Sequence, residues 1–284
     1  MEFRVLGLVD AQVAGRTLDL GPAKQRLIVA ILALEANRPV PAERLVELSW
    51  PAGAPRSARN AVQVRISRLR SLLAAHDAAR YGVELATQSG AYQLRLDPAR
   101  VDAHRFAVLV AQAREAAGDE QKVALLNHAL SLWRGPALTG VIDDAVREQV
   151  CRGLEEGRIS ALEELFDAEL RLGQHRELID RLAAAVQEHP FREQLVAALM
   201  LALHRSGRTV DALRTYRRTR QRLLDEYGLE PSIRLRSLEM EILRDNVAPL
   251  TDGSSALAPV WLGRRPGHGG PGGRRGWSGT GGPG

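Results

Sequence analysis

Residues 56–76, RSARNAVQVRISRLRSLLAAH, constrain the chain more than any other stretch. The run holds no Gly, no Pro and no acidic residue, so nothing in it interrupts a single helix. At helical period Val62, Ile66, Leu69 and Leu73 fall on one face, at i, i+4, i+7 and i+11. The other face carries Asn60, Gln63, Val64, Ser67 and Ser71, with Arg59, Arg68 and Arg70 towards its edges. One side needs a core. The other offers amides, hydroxyls and guanidinium groups, with no carboxylate in the run to neutralise them. These are the groups a major-groove reader uses: Asn or Gln pairs adenine, and Arg pairs guanine or grips phosphate. A solvated arginine-rich face has the same composition, so the neighbouring segments must decide.

Charge distribution favours the first reading. Residues 1–100 hold 14 Lys and Arg against 9 Asp and Glu, a net of +5. Residues 101–246 hold 21 against 24, a net of −3, and residues 247–284 hold 4 against 1, a net of +3. A basic unit joined to a mildly acidic one fits a nucleic-acid module followed by a protein-binding module. The single cysteine, Cys151, excludes an internal disulfide and a cysteine-based zinc site, and reads as a small buried apolar side chain. No apolar run approaches the length of a membrane span, and MEFRVLGLVD lacks the pattern of a signal peptide, so the chain is expected to be cytosolic.

Segments on either side of the arginine-rich helix complete a motif. Phe3 to Val9 and then Val13, Leu18 and Leu20, after a turn at Ala14-Gly15-Arg16, predict two or three short strands in an antiparallel sheet. Gly21-Pro22 opens a helix whose stripe is Leu27, Ile31 and Leu34, and Asn37-Arg38-Pro39 stops it. Pro41 starts a short second helix with Leu45 and Leu48 inward, followed by the loop SWPAGAP. After the arginine-rich helix, Val83 and Leu85, then Tyr92, Leu94 and Leu96 beyond a Ser89-Gly90 turn, alternate as a β-hairpin does. Sheet, three helices and hairpin make a winged helix-turn-helix over residues 1–97. In that motif the third helix enters the major groove, and the wing tip at Ser89-Gly90 reaches the minor groove or phosphates. The DNA-facing set is then Arg59, Asn60, Gln63, Val64, Ser67, Arg68 and Arg70, with Arg56, Lys24 and Arg38 as looser phosphate contacts.

The leading sheet resembles the output domain of OmpR-type response regulators. Leu45 to Trp50, Ala58-Arg59-Asn60-Ala61-Val62-Gln63-Val64 and Ile66-Ser67-Arg68-Leu69-Arg70 resemble the Streptomyces antibiotic regulatory proteins. That family reads Leu-Trp-Gly before the third helix, where this chain has Leu48-Ser49-Trp50-Pro51. In OmpR-like activators the loop there is implicated in touching RNA polymerase.

Residues 101–246 are helical throughout by pattern. Helices are expected over 102–117, 120–133, 144–172, 175–189, 191–206, 209–227 and 232–244, separated by Gly and Pro. LRLGQHREL recurs as LHRSGRTVDAL with Gly173 and Gly207 34 residues apart, the period of tetratricopeptide-like helix pairs. Val101-Asp102 with Phe106, Leu130 to Leu138 (LSLWRGPAL), His189 to Glu193 (HPFRE) and Ala202 to Arg208 (ALHRSGR) resemble the bacterial transcriptional activator domain. Trp133-Arg134-Gly135-Pro136 reads as a structural helix end and turn. Glu155-Glu156, Glu163-Glu164 and the arginines between Arg217 and Arg222 read first as solvated faces. The Gly, Pro and Arg-rich tail, 247–284, has too few apolar groups for a core and is expected to be disordered.

The fold class is thus mainly α with a small β component, an OmpR-type winged helix followed by a tetratricopeptide-like array. The resemblance implies a regulator that binds direct repeats in double-stranded DNA near promoters, as a dimer or larger assembly, and recruits RNA polymerase to secondary-metabolite genes. The competing reading is a protein-interaction scaffold whose winged domain only docks. An enzyme is not expected, since the seven His and one Cys show no HExxH, metal spacing or nucleophile elbow. There is no GxxxxGK[ST] motif either, so no cofactor is expected.

Overall fold

The computed structural model describes residues 1–141 and 144–244, the side chains of 144 and 145 excepted. The expected disorder of 247–284 lies outside the described residues. Three short strands, β1 (Glu2–Arg4), β2 (Asp10–Val13) and β3 (Arg16–Leu18), form an antiparallel sheet in the order β1-β2-β3. The β2–β3 turn is Ala14-Gly15, both at positive φ, as a two-residue hairpin requires. Then come α1 (Ala23–Leu34), β4 (Val40–Pro41), α2 (Ala42–Ser49), α3 (Ala58–Ala75), a 3₁₀ turn (Ala78–Tyr81), β5 (Glu84–Gln88) and β6 (Ala91–Arg95). Leu27, Ile31, Leu45 and Leu48 point into the core, as do Val62, Ile66, Leu69 and Leu73 from α3.

Two elements differ from the pattern. The strand expected over Phe3 to Val9 ends at Arg4, because the backbone of Val5 to Leu8 turns away from the sheet to bond the helical lobe. The wing has three strands in the order β4-β6-β5, since Val40 pairs with Tyr92 and Pro41 with Ala91. Two residues are too few to show an alternation, so β4 has no local signal. The turn before it is locked by Asn37, whose side chain accepts from Leu96 N–H at 3.1 Å and donates to Leu96 C=O at 2.8 Å.

The helical lobe comprises α4 (Asp102–Arg114), α5 (Asp119–Ser131), α6 (Asp144–Arg171), α7 (His175–Glu188), α8 (Glu193–Arg205), α9 (Thr209–Tyr227) and α10 (Ile233–Leu243). These ends fall within three residues of the expected ones, because Gly and Pro stop helices locally. The 34-residue recurrence is a repeated helix end. At Gly173, φ +82°, the next N–H (Gln174) bonds Glu169 C=O at 3.2 Å; at Gly207, φ +80°, Arg208 N–H bonds Leu203 C=O at 2.8 Å. Both are the left-handed cap that glycine adopts at least cost. Helix α8 is apolar on most sides, and it is covered by α6, α7, α9 and α10. Phe166, Leu195, Met200 and Tyr216 lie in that core.

The two lobes meet along one seam and belong to one compact unit. Leu6 C=O accepts from Arg134 N–H at 2.9 Å, Val5 C=O from Leu138 N–H at 3.0 Å and Gly7 C=O from Thr139 N–H at 3.0 Å. The Asp102 carboxylate, buried, accepts from Val5 N–H at 2.8 Å and Leu6 N–H at 3.1 Å. Arg134 donates to Asp102 at 3.3 Å, to Asp10 at 3.2 Å and to Leu8 C=O at 3.2 Å. Burial raises the Asp102 carboxyl, while the Val5 and Leu6 N–H groups and Arg134 draw it back. A Cβ at Gly7, φ +133°, would stand 3.0 Å from Arg134 Cβ, so the backbones approach only because this residue has none. Trp133 packs edge-on to Phe106 at 5.5 Å. The Trp-Arg-Gly-Pro turn is therefore the bolt of the seam. Cys151 is buried with its thiol pushed up to about 12, first by burial and then by Glu155, which leaves it unreactive.

Candidate nucleic-acid interface

Helix α3 buries its aliphatic stripe against the lobe interior, packing chiefly on α2 and the 3₁₀ turn. Its other face is open. Arg59, Asn60, Gln63, Val64, Ser67, Arg68 and Arg70 are all exposed, Val64 at 43%. The helical lobe does not cover them. The side chains of Arg56, Asn60, Gln63 and Arg68 make no hydrogen bond or ion pair with any described residue. Amides and guanidinium groups held on a rigid helix without internal partners are free to bond an external ligand.

Other predicted residues have structural ties. Arg70 donates from Nε to Leu85 C=O at 3.2 Å and from its terminal nitrogen to the Thr87 hydroxyl, so it fastens strand β5 of the wing to α3. Its geometry makes it a positioning residue before it is a reader of bases. Arg59 forms an exposed ion pair with Glu43 on α2 at 3.2 Å. The α3 run lacks carboxylates, but its neighbour supplies one, which sequence spacing could not show. The Arg59 guanidinium also lies 3.9 Å from the position of a Cβ on Gly90. Ser89 and Gly90 both have positive φ, giving the two-residue turn of the wing tip, and Gly90 C=O accepts from Ala42 N–H at 3.3 Å. The ends of α2 and α3 and the wing tip thus converge.

The looser phosphate candidates do not share one place. Lys24 Nζ sits 4.1 Å from the centre of the Trp50 ring, with the Arg65 guanidinium 5.7 Å from it. Trp50 and Arg65 were not singled out by pattern; their role is to hold the α2–α3 loop, whose residues 51–57 are exposed. Arg38 pairs with Glu35 at 3.8 Å, at the base of the wing rather than beside α3. Among the described residues no helix is long and apolar enough to cross a membrane, and no group of acidic, His and Cys side chains could hold a metal ion.

Comparison with known proteins decides what this geometry belongs to. Residues 15–90 match the family model described as transcriptional regulatory protein, C terminal, and residues 101–243 match the bacterial transcriptional activator domain. The transcriptional regulator RedD of Streptomyces coelicolor is 38% identical over 264 residues, 90% of this chain and 74% of RedD. The regulatory protein DnrI of Streptomyces peucetius is 36% identical over 253 residues, 86% of this chain and 92% of DnrI.

The chain belongs to the Streptomyces antibiotic regulatory protein family.

As a member of that family it is a DNA-binding regulator of transcription and not an enzyme. A solved structure shares the architecture. Mycobacterium tuberculosis EmbR, in complex with a low-affinity phosphopeptide, superposes with a TM-score of 0.82 at 32% identity, over 87% of this chain and 66% of EmbR. The order of the regulator's lobes, winged helix then helical array, is that of the two family models.

Proposed function

We propose that this regulator activates transcription by seating α3 in the major groove of direct repeats near its target promoters, with the wing tip on the flanking backbone. The observation that carries this reading is the open face of α3, where Arg56, Asn60, Gln63 and Arg68 lack any internal partner. Asn60 and Gln63 are the groups for adenine, Arg68 for guanine or phosphate, and Val64 for a thymine methyl. Arg59, Ser67, Ser89 and Gly90 flank them, and Arg70 keeps the wing in register with the helix. Two copies occupy adjacent repeats, and the exposed α2–α3 loop together with the helical lobe recruits RNA polymerase. The targets are secondary-metabolite genes, and the protein works in the cytoplasm, on the nucleoid.

Footprinting the full chain on the DNA flanking its own gene tests this. The expected result is protection of two repeats in the same orientation, on one face of the duplex. Protection without sequence preference at physiological salt would overturn the reading. No observation favours the scaffold reading, in which the winged domain only docks.

A further inference from the structure

The arginines of α3 are not equivalent, and one of them is set apart by its partner. Four lie on the helix: Arg59, Arg65, Arg68 and Arg70. Arg65 donates to Ala61 C=O at 3.0 Å within its own helix and lies over the Trp50 ring. Arg70 is tied to Leu85 and Thr87 of the wing. The Arg68 side chain has no hydrogen bond or ion pair with any described residue. Arg59 is the one that meets a carboxylate among the described residues, Glu43 of α2 at 3.2 Å.

The fold fixes where that carboxylate stands. Pro41 pairs with Ala91 of the wing, and Ala42 N–H bonds the wing-tip Gly90 C=O at 3.3 Å. Ala42 and Leu45, on either side of Glu43, are buried, so the backbone that carries it is anchored. Glu43 lies in the first turn of α2, where the helix dipole favours a negative side chain. Glu47, one turn further along, instead pairs with Arg44 of its own helix at 3.5 Å. The Arg59 guanidinium thus lies between Glu43 and the wing tip, 3.9 Å from the position of a Cβ on Gly90.

The two side chains are 65% and 62% exposed, so water screens the pair and it adds little to folding. Its consequence falls on a ligand. An unpaired guanidinium beside a duplex is drawn to phosphate, which carries the charge. One held against a carboxylate has its own charge offset, and the carboxylate repels the phosphate. Docking removes water and strengthens both effects. The planar fork has five N–H donors, so some remain for a neutral acceptor. Guanine offers O6 and N7 side by side in the major groove, the pair that an arginine takes with two bonds.

We infer that Glu43 is a positioning residue, which turns Arg59 from a phosphate contact into the reader of one guanine on the wing side of the groove. The inference deepens the proposed seating of α3 in the major groove and rests on it. Where no guanine is within reach, the pair offers DNA almost no net charge, so other sequences gain nothing from Arg59.

The test compares wild type, Glu43→Gln, Arg59→Ala and the double variant, each as the full chain. Each is titrated at several salt concentrations against the footprinted repeat, single-base variants of it and scrambled DNA of the same length. Both side chains are exposed, and urea midpoints equal to wild type confirm that the variants fold. For Glu43→Gln the expected result is scrambled DNA bound about threefold tighter, with a salt slope steeper by about 1. Its ratio of operator to scrambled affinity falls about fivefold or more, and it no longer discriminates at one G·C pair. With Arg59→Ala already in place, the same change alters the ratio by less than about twofold. A ratio and slope unchanged by Glu43→Gln overturn the inference and leave a surface ion pair only. An equal fall with and without Arg59 overturns it in favour of Glu43 meeting a base by itself, as an acceptor for cytosine N4. A fall that tracks a lowered urea midpoint overturns it in favour of a structural role. Wild type that binds the repeat and scrambled DNA equally overturns the seating of α3 itself, and this assignment with it.

Discussion

Two clusters of arginine and polar side chains in this regulator meet opposite fates. On α3, Asn60, Gln63 and Arg68 stand in solvent with no internal partner. At the seam between the lobes Asp102 is 1% exposed and takes bonds from Val5, Leu6, Ala103 and Arg134, while Arg134 reaches three acceptors. The same chemical groups hold the molecule together in one place and remain available in the other. What separates them is desolvation. A buried carboxylate must have its partners or destabilise the fold, whereas an exposed amide loses nothing by waiting for a base. Substitutions at the seam should therefore register in stability, and those on α3 in DNA binding.

The sharpest break in that contrast comes from Asp102→Ala, which leaves the Val5, Leu6 and Ala103 N–H groups without their acceptor and takes one of the three acceptors of Arg134. Its expected cost is several kcal/mol of unfolding free energy, read from urea midpoints, because each buried N–H left without an acceptor costs about 1–3 kcal/mol. On α3 the opposite signature is expected. Arg68→Ala should weaken operator binding by about 1–3 kcal/mol and move the unfolding midpoint hardly at all, while Gln63→Ala relaxes the choice of base; titrations against single-base operator variants read both. Equal effects on stability and binding would erase the distinction. Gly7→Ala should lower stability by about 1–3 kcal/mol through the clash with Arg134 Cβ, with operator affinity per folded molecule unchanged.

Arg70→Ala tests the border between the two classes. It should cost about 1 kcal/mol in stability and raise amide exchange in β5, since the guanidinium ties Leu85 and Thr87 to α3. The smallest effect comes from pH. His104 lies at the seam with its Nε2 3.2 Å from Ala33 C=O, and burial holds its imidazole below the ordinary 6.5. The folded state then binds fewer protons than the unfolded one, so this contribution is complete above pH 6.5 and declines as pH falls towards the lowered value. Chemical unfolding between pH 7.5 and 5.5 should show that decline, and His104→Gln should flatten it.

Much of the fold was legible in advance for a local reason. A stripe such as Val62, Ile66, Leu69 and Leu73 states that a helix exists and which side is buried, and Gly173 and Gly207 mark helix ends with bonds made within six residues. The open polar face of α3 follows from the same periodicity. Partners across long stretches of chain left no such trace. Nothing near Arg59 announces Glu43, nothing near Arg70 announces Thr87, and nothing near Arg134 announces Leu6.

The sequence by itself determined the helices, the wing-tip turn at Ser89-Gly90 and which face of α3 turns away from the core. Only the tertiary structure decided which arginines are spent on the fold, that β4 completes the wing, and that Val5 to Leu8 leave their sheet for the helical lobe. The division is physical. Hydrophobic periodicity is written into residues three and four apart, whereas a hydrogen bond between residues 97 positions apart, as from Val5 to Asp102, exists only once the chain has closed on itself.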